Sequence, residues 1–113
     1  MKKLTHFKTG AFRDDQSGKE SYGETISWTA LKRYAKYMTG KKKKYGEGNF
    51  KKGIPIENYE ESLVRHIQKY MENKYEQGIV ETDEDHLCAI RFNVDGIMHE
   101  EERINKLNAK KHD

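Results

Sequence analysis

Three observations predict an all-α fold for this chain, a small helical bundle of about three main helices behind an extended N-terminal arm. Apolar residues recur at three- and four-residue steps in three separate stretches, and glycine, proline or polar clusters separate those stretches. No stretch alternates convincingly as a strand, and there is no internal repeat. At 113 residues the chain is long enough for one domain with one modest core. Within the single domain 1–113, residues 1–24 form the arm, 25–105 the helical core and 106–113 a polar tail. Hydrophobic residues make up only 34% of the chain against 36% charged, so the bundle is expected to be completed by homo-oligomerisation.

The arm carries little periodicity. Phe7, Phe12 and Tyr22 lie among alternating glycines and cations, including Arg13 and Lys19, the composition of a loop whose backbone can approach an anion. Ser27 or Thr25 then caps a first helix whose stripe is Trp28, Leu31, Tyr34, Ala35 and Met38. Thr39-Gly40 interrupts that pattern ahead of the run Lys41 to Lys44. Gly46 and Gly48 next mark a tight turn that presents Asn49 and sets Phe50 against the core.

Gly53-Ile54-Pro55 opens the second helix, with Pro55 near its first turn and Asn58 with Glu61 as a capping box. Its apolar face is Tyr59, Leu63, Val64, Ile67, Tyr70 and Met71, running to about Lys74. The third helix starts within Glu81 to Asp85, with Thr82 as cap and Asp85 three residues on, and extends through Ile104. Leu87, Ile90, Val94, Ile97 and Met98 define its apolar arc.

Both of these helices place polar groups where core residues are expected. Glu60 falls amid the apolar arc of the second, and Asn93 lies within that of the third, with His86 two turns earlier on the same side. Facing helices would enclose Glu60, His86 and Asn93 together. A lone buried carboxylate must be protonated, paired or metal-bound, so the arrangement predicts chemistry in the interior. The bland alternatives are an acidic residue favoured near a helix start and a hydrogen-bonded histidine.

Several function classes drop out. No phosphate-binding glycine motif or paired-histidine zinc motif is present, and Cys88 beside an apolar face reads as a packed residue. The net charge is +3, yet acidic blocks at 81–85 and 100–102 argue against nucleic acid as partner. The opening Met-Lys-Lys is not followed by an apolar run, and no stretch approaches bilayer length, so no membrane is expected and the cytoplasm is the expected location. What remains is an oxygen-rich set, Glu60, Glu61, Asp83, Glu84 and Asp85, with His66 and His86. Such oxygens suit Mg²⁺ or Mn²⁺ and a phosphate substrate.

Taken in order, Thr9-Gly10-Ala11, Arg13-Asp14, Gly18-Lys19, Lys44-Tyr45-Gly46, Asn49-Phe50, Gly53, Arg65-His66 and Glu84-Asp85-His86-Leu87 with Asn93 resemble the dATP/dGTP diphosphohydrolase N-terminal domains of phage and bacterial proteins. That family is grouped loosely with the MazG-like all-α nucleotide pyrophosphohydrolases. The resemblance implies cleavage of a purine deoxynucleoside triphosphate to monophosphate and pyrophosphate with Mg²⁺ or Mn²⁺, in the host cytoplasm if the chain is phage-encoded. On that reading Glu60, Glu61, Asp83 and Asp85 hold the cation, and Asp85, His86 and Glu60 serve catalysis. Arg13, Lys19, Lys44, Asn49, Phe50, Arg65, His66 and Asn93 bind the nucleotide, with Phe50 stacking on the base. Val64 stands where MazG-like enzymes carry a third carboxylate after Glu60-Glu61, and Leu87 follows Glu84 where an aspartate is usual. The alternative is a protein that binds or sequesters a nucleotide without hydrolysing it.

Overall fold

The computed structural model describes residues 3–78 and 84–111. It is built on three helices, α1 (Trp28–Tyr45), α2 (Ile56–Tyr75) and α3 (His86–Lys111), with a 3₁₀ turn at Asn49–Lys52. The arm holds a short antiparallel hairpin, β1 (Leu4–His6) against β2 (Phe12–Asp14), in the register Leu4 with Asp14 and His6 with Phe12. The sequence reading contained no strand here. Three-residue strands are too short to show alternation, and the pairing is fixed by a turn in which Gly10 adopts φ 91° and donates to the Phe7 carbonyl.

Ser27 caps α1, its hydroxyl accepting the Ala30 N–H at 3.1 Å. The break expected at Thr39-Gly40 does not occur. Thr39 satisfies its hydroxyl on the Ala35 carbonyl, and one glycine weakens a helix by only about 1 kcal/mol, so α1 continues through the lysine run. It ends at Gly46, whose φ of 86° places it outside the region side chains favour. Lys42, Lys43 and Lys44 complement the negative end of the helix dipole.

The Asn58–Glu61 capping box is also not formed. Pro55 is the N-cap of α2, and the Asn58 N–H donates to the Pro55 carbonyl, so both Asn58 and Glu61 lie inside the helix and exposed. At α3, Thr82 lies outside the described residues, and Asp85 itself performs the capping. Its carboxylate accepts the Cys88 N–H at 3.1 Å and its carbonyl accepts the Ala89 N–H. The tail expected from residue 106 continues α3 as exposed helix to Lys111.

Helices α2 and α3 are the main packed pair. They run antiparallel, with Tyr59 against Phe92 near one end and His66 against His86 near the other. Gly96 permits the closest approach, because a Cβ there would stand 2.3 Å from the Tyr59 ring. The buried hydrophobic residues among those described are Tyr59, Cys88 and Ala89, joined by Asn93 and Glu100. Helix α1 lies across α3, with no fully buried residue of its own. It is held there by Arg33 on Asp85 and by Tyr34, over whose ring the Arg91 guanidinium sits at 4.4 Å. Among the described residues, no helix is long and apolar enough to cross a membrane.

Candidate functional site

A cleft of about 350 Å³ opens between the C-terminal half of α1, the glycine turn after it, and the cleft-facing sides of α2 and α3. From α1 come Tyr37, Lys41, Lys42 and Tyr45, one helical turn apart in the pairs 37/41 and 41/45. The turn contributes Gly46 to Phe50. Gly48 sits at φ 67° and Gly53 at φ 99°, conformations that let the chain double back from α1 into the 3₁₀ turn and then α2. Phe50 is fixed edge-on against His99 at 5.2 Å between ring centres. Ser62 and His66 enter from α2, Glu84 from the residues before α3, and Ala89, Phe92 and Asn93 from α3 itself.

The polar groups are held in place by one another. The Tyr37 hydroxyl donates to Glu84 Oε1 at 2.7 Å, and Lys41 Nζ reaches Glu84 Oε2 at 3.5 Å. Burial works against ionisation of Glu84, but the Tyr37 hydrogen bond and the Lys41 charge prevail, and its carboxyl stays below the usual range. Burial, then the bond to Glu84, drives the Tyr37 phenol upward, so it remains a donor. Asn93, which lines the cleft, donates through Nδ2 to the Ala89 carbonyl at 2.8 Å and to Ser62 Oγ at 3.2 Å. His66 and His86 meet Nδ1 to Nδ1 at 2.9 Å, a contact that requires one donor and one bare acceptor. Burial first, and then the neighbouring His86, lower the His66 pKa, keeping a neutral imidazole on the cleft wall.

Of the residues expected from sequence, Asn49, Phe50, His66 and Asn93 line the cleft, and His86 supports His66 from behind. Lys44 lies over the Tyr45 ring, exposed, and Arg65 is exposed on α2. Arg13 and Lys19 belong to the exposed arm, and neither lines the cleft. Glu60 and Glu61 are exposed rather than enclosed with His86 and Asn93. The apolar arc of α2 is wider than its contact with α3, and Glu60 sits on the part α3 does not cover. Asp85 is engaged by Arg33 through two hydrogen bonds of 2.8 and 2.9 Å, which hold its carboxyl down at about 2. Asp83 lies outside the described residues.

Among the described residues no group of three histidine, cysteine or carboxylate side chains could hold a metal ion. A resident divalent ion ligated by Glu60, Glu61 and Asp85 therefore does not fit this arrangement. Cys88 is buried with its thiol pushed up by that burial, which suits packing rather than nucleophilic attack. Sequence reasoning gave Tyr37 and Lys41 no specific partner, missed Ser62, and gave Glu84 no separate role. The signal for the first two was their four-residue spacing, hidden by the assumed helix break between them.

An aromatic wall, a pair of lysines and a hydrogen-bonded carboxylate in one cleft form a set able to take a planar base and an anion together. A family model described as dATP/dGTP diphosphohydrolase, N-terminal, matches residues 9–110, which include every residue of this cleft. No curated protein and no solved structure matches the chain. The chain thus belongs to the dATP/dGTP diphosphohydrolase N-terminal family.

Proposed function

We propose that the cleft binds a purine deoxynucleoside triphosphate as its Mg²⁺ or Mn²⁺ complex and hydrolyses it to monophosphate and pyrophosphate. The observation that carries this reading is the placement of Glu84 between Tyr37 and Lys41 on a wall shared with Phe50 and Asn93. Phe50 stacks on the base, and the Asn93 Oδ1 accepts an N–H from it, a group that adenine and guanine both present. Lys41 and Lys42 engage the phosphates. The divalent ion enters with the triphosphate as part of the substrate, since magnesium commonly uses few protein ligands beside phosphate oxygens.

Hydrolysis at the α phosphorus needs a water oxygen to form the new bond as the bond to the bridging oxygen breaks. The proton leaves that water for a base, and pyrophosphate carries away the electron pair. Glu84, ionised and fixed by two partners, is the proposed acceptor. His66 stands on the same wall in neutral form and orients the water. Lys41 and Lys42 balance the charge gathering on pyrophosphate.

One observation favours a second reading, binding without hydrolysis: the described residues assemble no three-ligand metal set. One experiment separates the two. The protein is incubated with each deoxynucleoside triphosphate and Mg²⁺ or Mn²⁺, with and without excess chelator, and the products are resolved by anion exchange. Purine monophosphate with equimolar pyrophosphate, lost on chelation, supports hydrolysis. Retained but unchanged nucleotide supports the binding reading, and neither retention nor turnover rejects the cleft as a nucleotide site.

A further inference from the structure

The side of the α2–α3 pair turned away from α1 and the cleft is apolar and uncovered. Val64, Ile67 and Met71 on α2 and Leu87, Val94 and Met98 on α3 are 39–62% exposed. At about 100° per residue, the α2 set lies roughly a third of a turn, and the α3 set somewhat under half a turn, in the same rotational sense, from the residues that face the other helix. Because the two helices are antiparallel, rotation in the same sense carries both sets towards one side. The result is a continuous apolar strip on a chain whose own described core holds few buried hydrophobic residues.

We propose that this strip is the interface of a two-fold homodimer, in which α2 packs antiparallel against α2 of a second copy to form a four-helix layer. An interface of this kind must be self-complementary, since the same patch serves both subunits. The α2 edge meets that demand. It reads Glu60, Val64, Ile67, Met71, Lys74, with steps of four, three, four and three residues. Ile67 stands at the centre, with Glu60 and Lys74 seven residues to either side, roughly 10 Å along the axis. A two-fold axis at Ile67 sets Glu60 of each copy beside the opposite copy's Lys74 and packs Val64 against Met71. Within the subunit neither Glu60 nor Lys74 forms any of the described ion pairs, and Lys74 is engaged by Tyr70 and Tyr75, over whose rings it sits. A carboxylate at the rim of an apolar strip, with its opposite charge one heptad past the centre, is what antiparallel pairing of identical helices requires. An unrelated partner would not impose that symmetry.

Sedimentation velocity and equilibrium on the full chain test the proposal, with circular dichroism verifying helix content. The wild-type protein should sediment as two chains of 13.3 kDa. Ile67→Lys, at a partly exposed position, should keep its helices and weaken dimerisation at least a hundredfold or so. Glu60→Lys and Lys74→Glu should each raise the dimer dissociation constant about tenfold, by placing like charges at both rims. The Glu60→Lys, Lys74→Glu double variant should return to within about threefold of wild type, because the swap restores both pairs. A monomeric wild type, or an assembly indifferent to Ile67→Lys, would overturn the interface. Single charge variants that weaken the dimer without rescue by the double swap would overturn the antiparallel register. The charge variants alter only exposed positions, so they keep the test decisive if Ile67→Lys unfolds.

Discussion

The two long sides of the α2–α3 pair are built from the same helices and differ in nearly every physical respect. On the cleft side, polar groups hold one another: Glu84 is held by Tyr37 and Lys41, Asn93 by Ser62 and Ala89, His66 by His86. On the open side, aliphatic side chains stand in a strip with a single charge near each end. The difference teaches that fixing a polar group takes a second element to supply partners, and α1 with its glycine turn supplies them on one side alone. One helix pair thus carries fixed polar groups on one side and an open apolar strip on the other.

If fixed polarity is the working property of the cleft side, removing it should have the largest effect. Glu84→Gln keeps the shape and a partner for Tyr37 but deletes the ionised acceptor. Turnover of dATP or dGTP should fall about a hundredfold or more, with nucleotide binding largely kept. Steady-state kinetics beside a binding isotherm measure both. Undiminished turnover would remove Glu84 from the role of base and leave the cleft side with no chemical advantage over the other.

The seam between the two sides should be next. Gly96→Ala would drive a methyl into the Tyr59 ring, which is itself buried against Phe92. Overpacking of this kind typically costs about 1–3 kcal/mol, against a small helix-propensity gain from alanine. Urea titration should show that loss, and a neutral result would mean that α2 and α3 approach less closely than the Tyr59–Gly96 contact requires.

Asp85 joins α1 to the start of α3, and its contribution should depend on pH. Its folded carboxyl sits at about 2 against an ordinary 3.8, chiefly through the Arg33 hydrogen bonds. A depressed folded pKa means that the unfolded chain binds the proton more readily. The stabilisation is therefore complete above pH 3.8 and lost as pH falls towards 2. Arg33 is more than half exposed, which screens the pair, so about 1 kcal/mol is expected. Asp85→Asn should lose that amount at pH 7 while keeping a capping side chain, and should match wild type near pH 2. His66 acts in the same direction at higher pH. Its lowered pKa favours protonation of the unfolded chain, so stability should begin to fall as pH drops below about 6.5.

How much of this was legible in the sequence depended on whether a residue's partner lay on its own element. The three helices followed from periodicity, and Asn93 and His86 declared themselves as polar residues sharing one side of a helix. Glu60 misled because periodicity defines an apolar arc without saying which part of it a neighbour covers. Tyr37 and Lys41 were obscured by weighing one glycine more heavily than a well-formed helix does. Glu84 and Asp85 are adjacent yet fall to different tasks, since only the fold brings Tyr37 to one and Arg33 to the other.

The smallest effect is expected on the flank of α2 that neither side uses. Asn58 has the residue type and the spacing to Glu61 of a capping pair, and as a real cap its replacement by alanine would cost about 1 kcal/mol. It lies instead in the first turn beyond Pro55, with its N–H already donating to the Pro55 carbonyl and its side chain exposed. Asn58→Ala should therefore change stability by less than about 0.5 kcal/mol, with the sign set by the better helix propensity of alanine. A loss near 1 kcal/mol in urea titration would move the start of α2 three residues later. It would also return Glu61 to a capping duty and shorten the α2 edge that both the cleft and the open strip share.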